Sequence, residues 1–388
     1  MIAAYGIMIG LSVTIESPVI PLLGTATALA RGRQSYLQLR RFTIHLNLGL
    51  TLLTFLFGWT PLYDLVVRQA MGIPTAIADA ALPGMRIMLF WTAAIGWRRF
   101  KQGVMIRYGA TRRVGYGTLV RLIASAGTAG LLAILTEWPG VTVGATALMV
   151  GVLAEAIFAH FAAQQVMEAH LVPNAPDSND DEISYREVVN YHSPLALATL
   201  MLLLAQPIIG AALARSPDPE TALAAWPVAF ALVLIARSSG LAIPEAVIAM
   251  LQGPETVQPL RIFARNLALF SFGALTLVAF TGLGRIYFES LIGISPSLAN
   301  IAISGIQLGV LIPLINVWQG YLRGMLMAHK HTKPLFVAMG IYVLVLVVST
   351  LGVGVPLELP GVPMAFAAIT LAMVLETAYL VWRHSKLV

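Results

Sequence analysis

The stretch GWRRFKQGVMIRYGATRR, residues 96–113, sets Arg98, Arg99, Lys101, Arg107, Arg112 and Arg113 directly behind the apolar run LPGMRIMLFWTAAI. No turn signal intervenes before Tyr108-Gly109. Arg98, Lys101 and Gln102 have the i, i+3, i+4 spacing that shares one helical face. Arg121 lies seven residues into the next apolar segment, about 10 Å deep, close to the depth of Arg98. Guanidinium groups so placed suit bidentate binding of a carboxylate or phosphate. Arg98, Arg99, Lys101, Gln102 and Arg121 are therefore candidates for an anion site. The rival reading is snorkelling, in which long basic side chains near a helix end reach the headgroups.

Other charges fall inside apolar segments. Glu16 sits in TIESPVIPLL and Arg237 in IARSSG. A pair between them would make a gate; the alternative bonds each within its own half. Glu155 and His160, in LAEAIFAHFA, and Glu245, after Pro244, are weaker candidates for carrying a coupling proton. His329 and His331 stand at i,i+2, which does not align them on one helix face, so no metal site is expected. No cysteine is present, which excludes disulfides and thiolate chemistry.

These residues need a membrane scaffold to position them. The chain has 388 residues, 58% hydrophobic and only 11% charged, against about 25% charged in soluble domains. A membrane-spanning helix takes about 20 apolar residues. Eleven such segments are predicted: A 2–30, B 42–59, C 80–107, D 114–135, E 141–166, F 189–214, G 222–251, H 262–281, I 297–327, J 334–354 and K 361–382. With helix C starting near Pro83, Arg98 lies about 22 Å and Arg107 about 36 Å along its axis, which puts Arg98 within a core of about 30 Å and Arg107 outside it. The domains expected are a first bundle at 1–166, a linker at 167–188 carrying Asp177, Asp180, Asp181 and Glu182, and a second bundle at 189–388. Segments 60–79 and 281–296 read as short amphipathic outer connections. Eighteen of the 24 basic residues fall at connections of one side; the exceptions are Arg68, Arg86, Arg121, Arg215, Arg237 and Arg285. The positive-inside rule then puts the C-terminus in the cytoplasm and Met1 outside. It also explains the net charge of +6 without nucleic acid.

A shift of 221 residues brings the two halves into register without a gap. Phe42 meets Phe263, Gly84 meets Gly305, Trp97 meets Trp318, Gly103 meets Gly324 and Thr111 meets Thr332. Gly32 meets Gly253 and Ser17 meets Ser238. Helix A pairs with G, B with H, C with I and D with J. Six helices separate A from G, so the copies share an orientation and the axis relating them lies along the membrane normal. In the same register Arg98, Arg99, Lys101 and Arg121 meet Gln319, Gly320, Leu322 and Tyr342, and Glu16 meets Arg237. The cations are thus one-sided, although Arg323 partly restores the balance. Gln319 joins the candidate substrate residues. Helix F has no counterpart in the first copy; its partner would precede Met1, so an upstream helix or its loss is expected.

Two parallel bundles of this kind resemble the superfamily of multidrug extruders, polysaccharide exporters and lipid-linked-precursor flippases (MATE and MOP transporters). Within it the chain resembles the progressive ankylosis family. YHSPLALATLMLLLAQPIIGAALARS (191–216) is similar to that family's seventh helix, WPVAFALVLIARSSGLAIPEA (226–246) to its eighth and AYGIMIGLSVTIESP (4–18) to its second. The resemblance implies a MATE-like all-α integral membrane fold of 11 transmembrane helices, five plus six, with the first of the usual twelve absent. It also implies export of small organic or phosphorylated anions. The expectation is a secondary-active exporter in the inner membrane, monomeric, with a small anionic substrate and the lipid bilayer as partners and no cofactor. The rivals are a flippase for a lipid-linked or polysaccharide substrate and a membrane-embedded enzyme, for which no catalytic residue pattern is present. An exporter of cationic drugs would want an acidic cavity.

Overall fold

The computed structural model describes residues 2–71, 73–171 and 183–385. Among these the regular structure is helical throughout. The acidic positions Asp177, Asp180, Asp181 and Glu182 lie outside the described residues.

Helix A of the sequence reading is two helices, α1 (Ile2–Glu16) and α2 (Leu22–Leu29), joined through a 3-10 turn at Ser17–Val19. Pro18 and Pro21 remove backbone donors there, which breaks the i→i−4 ladder. α3 (Arg33–Trp59) opens at Gly32, whose N–H donates to Ser35 Oγ at 3.0 Å. Helix C is α4 (Thr75–Ile87) and α5 (Trp91–Arg107), bent at a 3-10 turn over Met88–Phe90. The expected start at Pro83 is corrected: the helix begins at Thr75 behind Pro74, and Pro83 lies inside it. Broken helices at membrane depth are tolerated because 3-10 adjustments and neighbouring helices satisfy the freed groups. Then come α6 (Thr111–Leu135), α7 (Gly140–His170) and α8 (Tyr185–Leu213).

Further on lie α9 (Pro219–Arg237), a 3-10 turn at Ser238–Ala242, α10 (Ile243–Met250), α11 (Pro254–Phe280) and the short α12 (Leu283–Arg285). They are followed by α13 (Pro296–Gly309), α14 (Ile312–Ala328), α15 (Lys333–Val347) with a π-helical continuation Val348–Gly354, and α16 (Gly361–His384). The chain forms two compact units, Met1–Thr199 and Leu200–Val388. The division falls within α8, so the first half of that helix packs with the first unit.

Among the described residues, ten helical segments are long and apolar enough to cross a membrane. The chain is a multi-pass all-α membrane protein. The bent helix of residues 75–107 takes the eleventh expected place. Arg86 and the basic group Arg98, Arg99 and Lys101 set it apart from the apolar spans.

The 221-residue register holds at the level of elements. Ser17 and Ser238 each open the 3-10 turn of their copy, and Trp91 and Ile312 each open the helix after the bend. Ser35 and Thr256 each turn a hydroxyl onto the residue before their helix: Ser35 Oγ donates to the Gly32 carbonyl at 3.0 Å, and Thr256 Oγ1 to the Gly253 carbonyl at 2.7 Å. Each hydroxyl also accepts from the N–H of that glycine, at 3.0 and 3.4 Å, as the third-residue side chain of a capping box does. Thr60 and Thr281 close α3 and α11 by donating to carbonyls four residues back, both at 2.6 Å.

One contact is kept with its sizes exchanged. A Cβ on Gly96 would stand 3.1 Å from Val19, and a Cβ on Gly240 would stand 3.2 Å from Val317. Val19 and Gly240 share a register position, as do Gly96 and Val317. Each copy thus packs one valine over one glycine, with the two residue types traded between the helices. The side chain of Asn47 fills the space over Gly96, and that of Asn316 the space over Gly240.

Candidate functional site

Glu155 is the central residue of the 31-residue α7 and is 1% exposed. Arg98 on α5 donates to its Oε2. Gln102, one turn further along α5, donates to its Oε1 at 3.1 Å. Arg121 on α6 brings Nε to 3.6 Å from Oε2. So the structure joins residues that the sequence reading kept apart. Arg98, Gln102 and Arg121 surround an acid that the sequence offered as a weak candidate for carrying a coupling proton. Glu16, at the end of α1, accepts from Trp91 Nε1 at 2.6 Å. Arg98, Arg99 and Arg121 are near enough to act on its charge. The first unit thus holds three guanidiniums and two carboxylates in one network.

The second unit holds the same device. Glu376, fifteen residues into α16, is 1% exposed. It accepts from Arg323, and from Gln319 Nε2 at 3.0 Å; the Gln319 amide also donates to the Met373 carbonyl at 3.1 Å. Glu376 stands at register with Glu155, Gln319 with Arg98 and Arg323 with Gln102. Arginine and glutamine have exchanged places one turn apart on α5 and α14, where i and i+4 share a face. Arg237, at register with Glu16, is held by a neutral partner. The Asn316 amide, with its oxygen toward the guanidinium, accepts from Arg237 Nη2 and donates to the Arg237 carbonyl, both at 3.1 Å. Arg237 also lies near enough to Tyr342, Arg323 and Glu376 to interact electrostatically. Two guanidiniums and one carboxylate make this second network.

Arg323 gives the carboxylate of the second copy a guanidinium, as Arg98 does in the first. The sequence reading missed Glu376. The signal was available, because Glu376 is Glu155 moved by 221 residues. Glu16 and Arg237 each have a partner within their own unit.

Lys101 points away from the Glu155 network. Its ammonium donates to Tyr36 Oη at 2.8 Å and sits 3.1 Å from Met167 Sδ. It also lies over the rings of Trp97 and Tyr36, at 5.1 and 5.2 Å from their centroids. His160 stacks on Trp97 and accepts from its Nε1 at 3.3 Å through Nδ1. Glu245, in the first turn of α10, is half-buried. Arg113 donates to the Ala162 carbonyl and to Gln165 on α7, which ties the start of α6 to α7. Among the described residues no group of three or more acids and histidines is placed to hold a metal.

A further buried group lies where α8 meets the bend of α1. His192 Nε2 is 2.8 Å from the Pro18 carbonyl and Nδ1 is 2.9 Å from Thr25 Oγ1. A carbonyl only accepts, so Nε2 carries the proton and Nδ1 accepts from the Thr25 hydroxyl. The neutral ring satisfies both neighbours. Beside the first network, an apolar groove of about 570 Å³ runs along α5 and α7, lined by residues including Phe90, Ala94, Trp97, Ile157, His160 and Phe161.

No protein-family model and no curated protein matches the chain. Solved structures do. A point mutant of a MATE transporter superposes with a TM-score of 0.76 at 14% identity, over 100% of this chain and 88% of that one. A MOP superfamily transporter from Pyrococcus furiosus, described as having a binding pocket of reversed polarity, gives 0.72 at 17% identity over 99% and 88%. A mutant of a Vibrio cholerae MATE transporter gives 0.71 at 16% identity over 99% and 86%. The fold is that of the MATE and MOP transporters.

Proposed function

We propose that this chain is a secondary-active membrane transporter that exports a small organic or phosphorylated anion by rocking of two bundles, residues 1–166 and 189–388. The observation that carries the reading is Arg237, a guanidinium inside the second unit held by the neutral Asn316 amide. Isolated charges inside a membrane protein are costly and mark substrate or ion pathways. Arg98 and Arg323 engage Glu155 and Glu376, whereas the described partner of Arg237 is a neutral amide. Arginine suits an anion there because its planar fork matches carboxylate and phosphate. The Pyrococcus furiosus transporter of similar fold is itself described by a reversed pocket polarity, which supports a departure from cation export. On this reading the protein is a monomer of the inner membrane, with its C-terminus in the cytoplasm. Membership of the progressive ankylosis family rests on the sequence resemblance alone.

The test is the anion content of the medium around cells with and without the protein, followed by release of phosphate and citrate from vesicles holding it. Arg99→Gln and Arg237→Gln should each lower release several-fold with membrane insertion unchanged. Unaltered release in both variants would end the anion reading. A second reading, a flippase for a lipid-linked pyrophosphate, is favoured by the groove along α5 and α7, which offers apolar space for a tail. Movement of a labelled lipid-linked substrate, with no release of free anions, would select it.

A further inference from the structure

Lys101 is 1% exposed, and its described partners are all uncharged: a phenol oxygen, a thioether and aromatic faces. Arg40 is the charged residue that acts on it, and it has the same sign. An ammonium buried without a counter-charge is costly to hold. The internal repeat shows that the fold does not ask for it. The register partner of Lys101 is Leu322, which is 2% exposed, and that of Tyr36 is Val257. The rest of the box is kept as aromatic, Trp318 for Trp97 and Tyr321 for Phe100. One copy therefore fills the position with an apolar pair, and the other with a lysine and the hydroxyl that receives it.

We propose that Lys101 and Tyr36 form a proton-binding site that couples proton movement to the transport cycle; this rests on the transporter reading above. The hydroxyl of Tyr36 suits both states. It accepts from the ammonium when Lys101 is protonated and donates to the amine lone pair when it is not. The exchange is Lys-NH3+ to Lys-NH2 plus a proton, taken from and returned to water, with the hydrogen bond kept and reversed. The cation–π contacts with Trp97 and Tyr36 favour the charged state, and burial opposes it. Among the described residues, the helices around this box bring the following charged or titratable groups. α3 brings Tyr36 and Arg40. α7 brings His160 behind Trp97, and its Glu155 is taken by Arg98, Gln102 and Arg121. α6 brings that same Arg121, and α1 brings Glu16, taken by Trp91. α2, LLGTATAL, has no titratable side chain.

The test uses Trp97 as a reporter, because its ring lies 5.1 Å from the Lys101 ammonium. The emission of the purified protein is followed against pH, and the Trp97→Phe protein is subtracted to isolate Trp97 among seven tryptophans. A single-proton step is expected. It should vanish in Lys101→Arg, which stays charged, and in Lys101→Leu, which copies the second half. It should survive His160→Gln. A step that persists without Lys101, or no step at all, overturns the proposal. Should Lys101→Leu fail to fold, Lys101→Arg and the wild-type titration still decide. In vesicles, an imposed pH gradient should speed phosphate or citrate release several-fold in the wild type and not in Lys101→Arg; equal acceleration in both overturns the coupling role. Failure of both anions to move would instead count against the anion reading, while the fluorescence step still decides whether Lys101 exchanges a proton.

Discussion

Glu155 and Glu376 stand 221 residues apart, and each accepts from one guanidinium and one amide spaced a helical turn apart on a neighbouring helix, in opposite order. Arg98 precedes Gln102 in the first copy, and Gln319 precedes Arg323 in the second. The carboxylate is the fixed point. Its two donors are interchangeable because either position reaches it.

This interchange can be written into the first copy. Arg98→Gln alone leaves Glu155 with a weaker set of donors; breaking a buried pair costs about 3–5 kcal/mol, less here because Arg121 stays near. Adding Gln102→Arg restores the guanidinium in the order the second copy uses. The double variant should recover most of the lost thermal stability in detergent. A double variant no more stable than Arg98→Gln would show that the two positions are not equivalent.

Substrate binding should compete with Glu155 for Arg98. Glu155→Gln removes the competitor, so added phosphate should raise the unfolding temperature of this variant more than that of the wild type. Binding to the folded state stabilises by about RT ln(1 + [L]/Kd). Equal shifts in the two proteins would mean that the anion does not use this guanidinium.

Glu16 and Arg237 have local partners, Trp91 and Asn316. Glu16→Gln keeps an acceptor for the indole N–H, so it should be mild for stability. Glu16→Ala orphans that donor, at about 1–3 kcal/mol. The stability losses of Glu16→Gln and Arg237→Gln should add within about 0.5 kcal/mol, as for independent sites. A gate between them would show differently, as strong non-additivity in transport rates; additive rates remove the gate.

His192 ties α8 to the bend at Pro18. His192→Ala leaves the Pro18 carbonyl and the Thr25 hydroxyl without it, so a loss of about 1–3 kcal/mol is expected. Thr25→Val removes only the hydroxyl and should cost less. A loss for His192→Ala no greater than for Thr25→Val would mean that the Pro18 contact adds nothing.

Much of this arrangement was legible in the chain. The apolar segments and the constant offset between the halves could be read from the chain, whereas the first span read as one segment, 2–30, although it carries Pro18 and Pro21 at its break. The charge networks were not legible. A comparison at fixed offset scores Arg98 against Gln319 and Gln102 against Arg323 as two mismatches. In three dimensions they are one conserved interaction, because i and i+4 meet the same neighbour. Glu155 looked solitary because its partners lie 53 and 57 residues away. The contact between Lys101 and Tyr36 spans 65 residues between two helices. No periodicity within either helix points to it, and only packing brings the phenol to the ammonium.

The traded valine and glycine set a limit on recombining the halves. A hybrid that kept the Val19 segment and received the Val317 helix would force two isopropyl groups into room made for one, while the reciprocal hybrid would set Gly240 against Gly96 and leave a void. The two copies share a plan, yet their parts are keyed, and grafting a single helix from one into the other should fail in opposite ways depending on direction: by collision in one case and by slackness in the other.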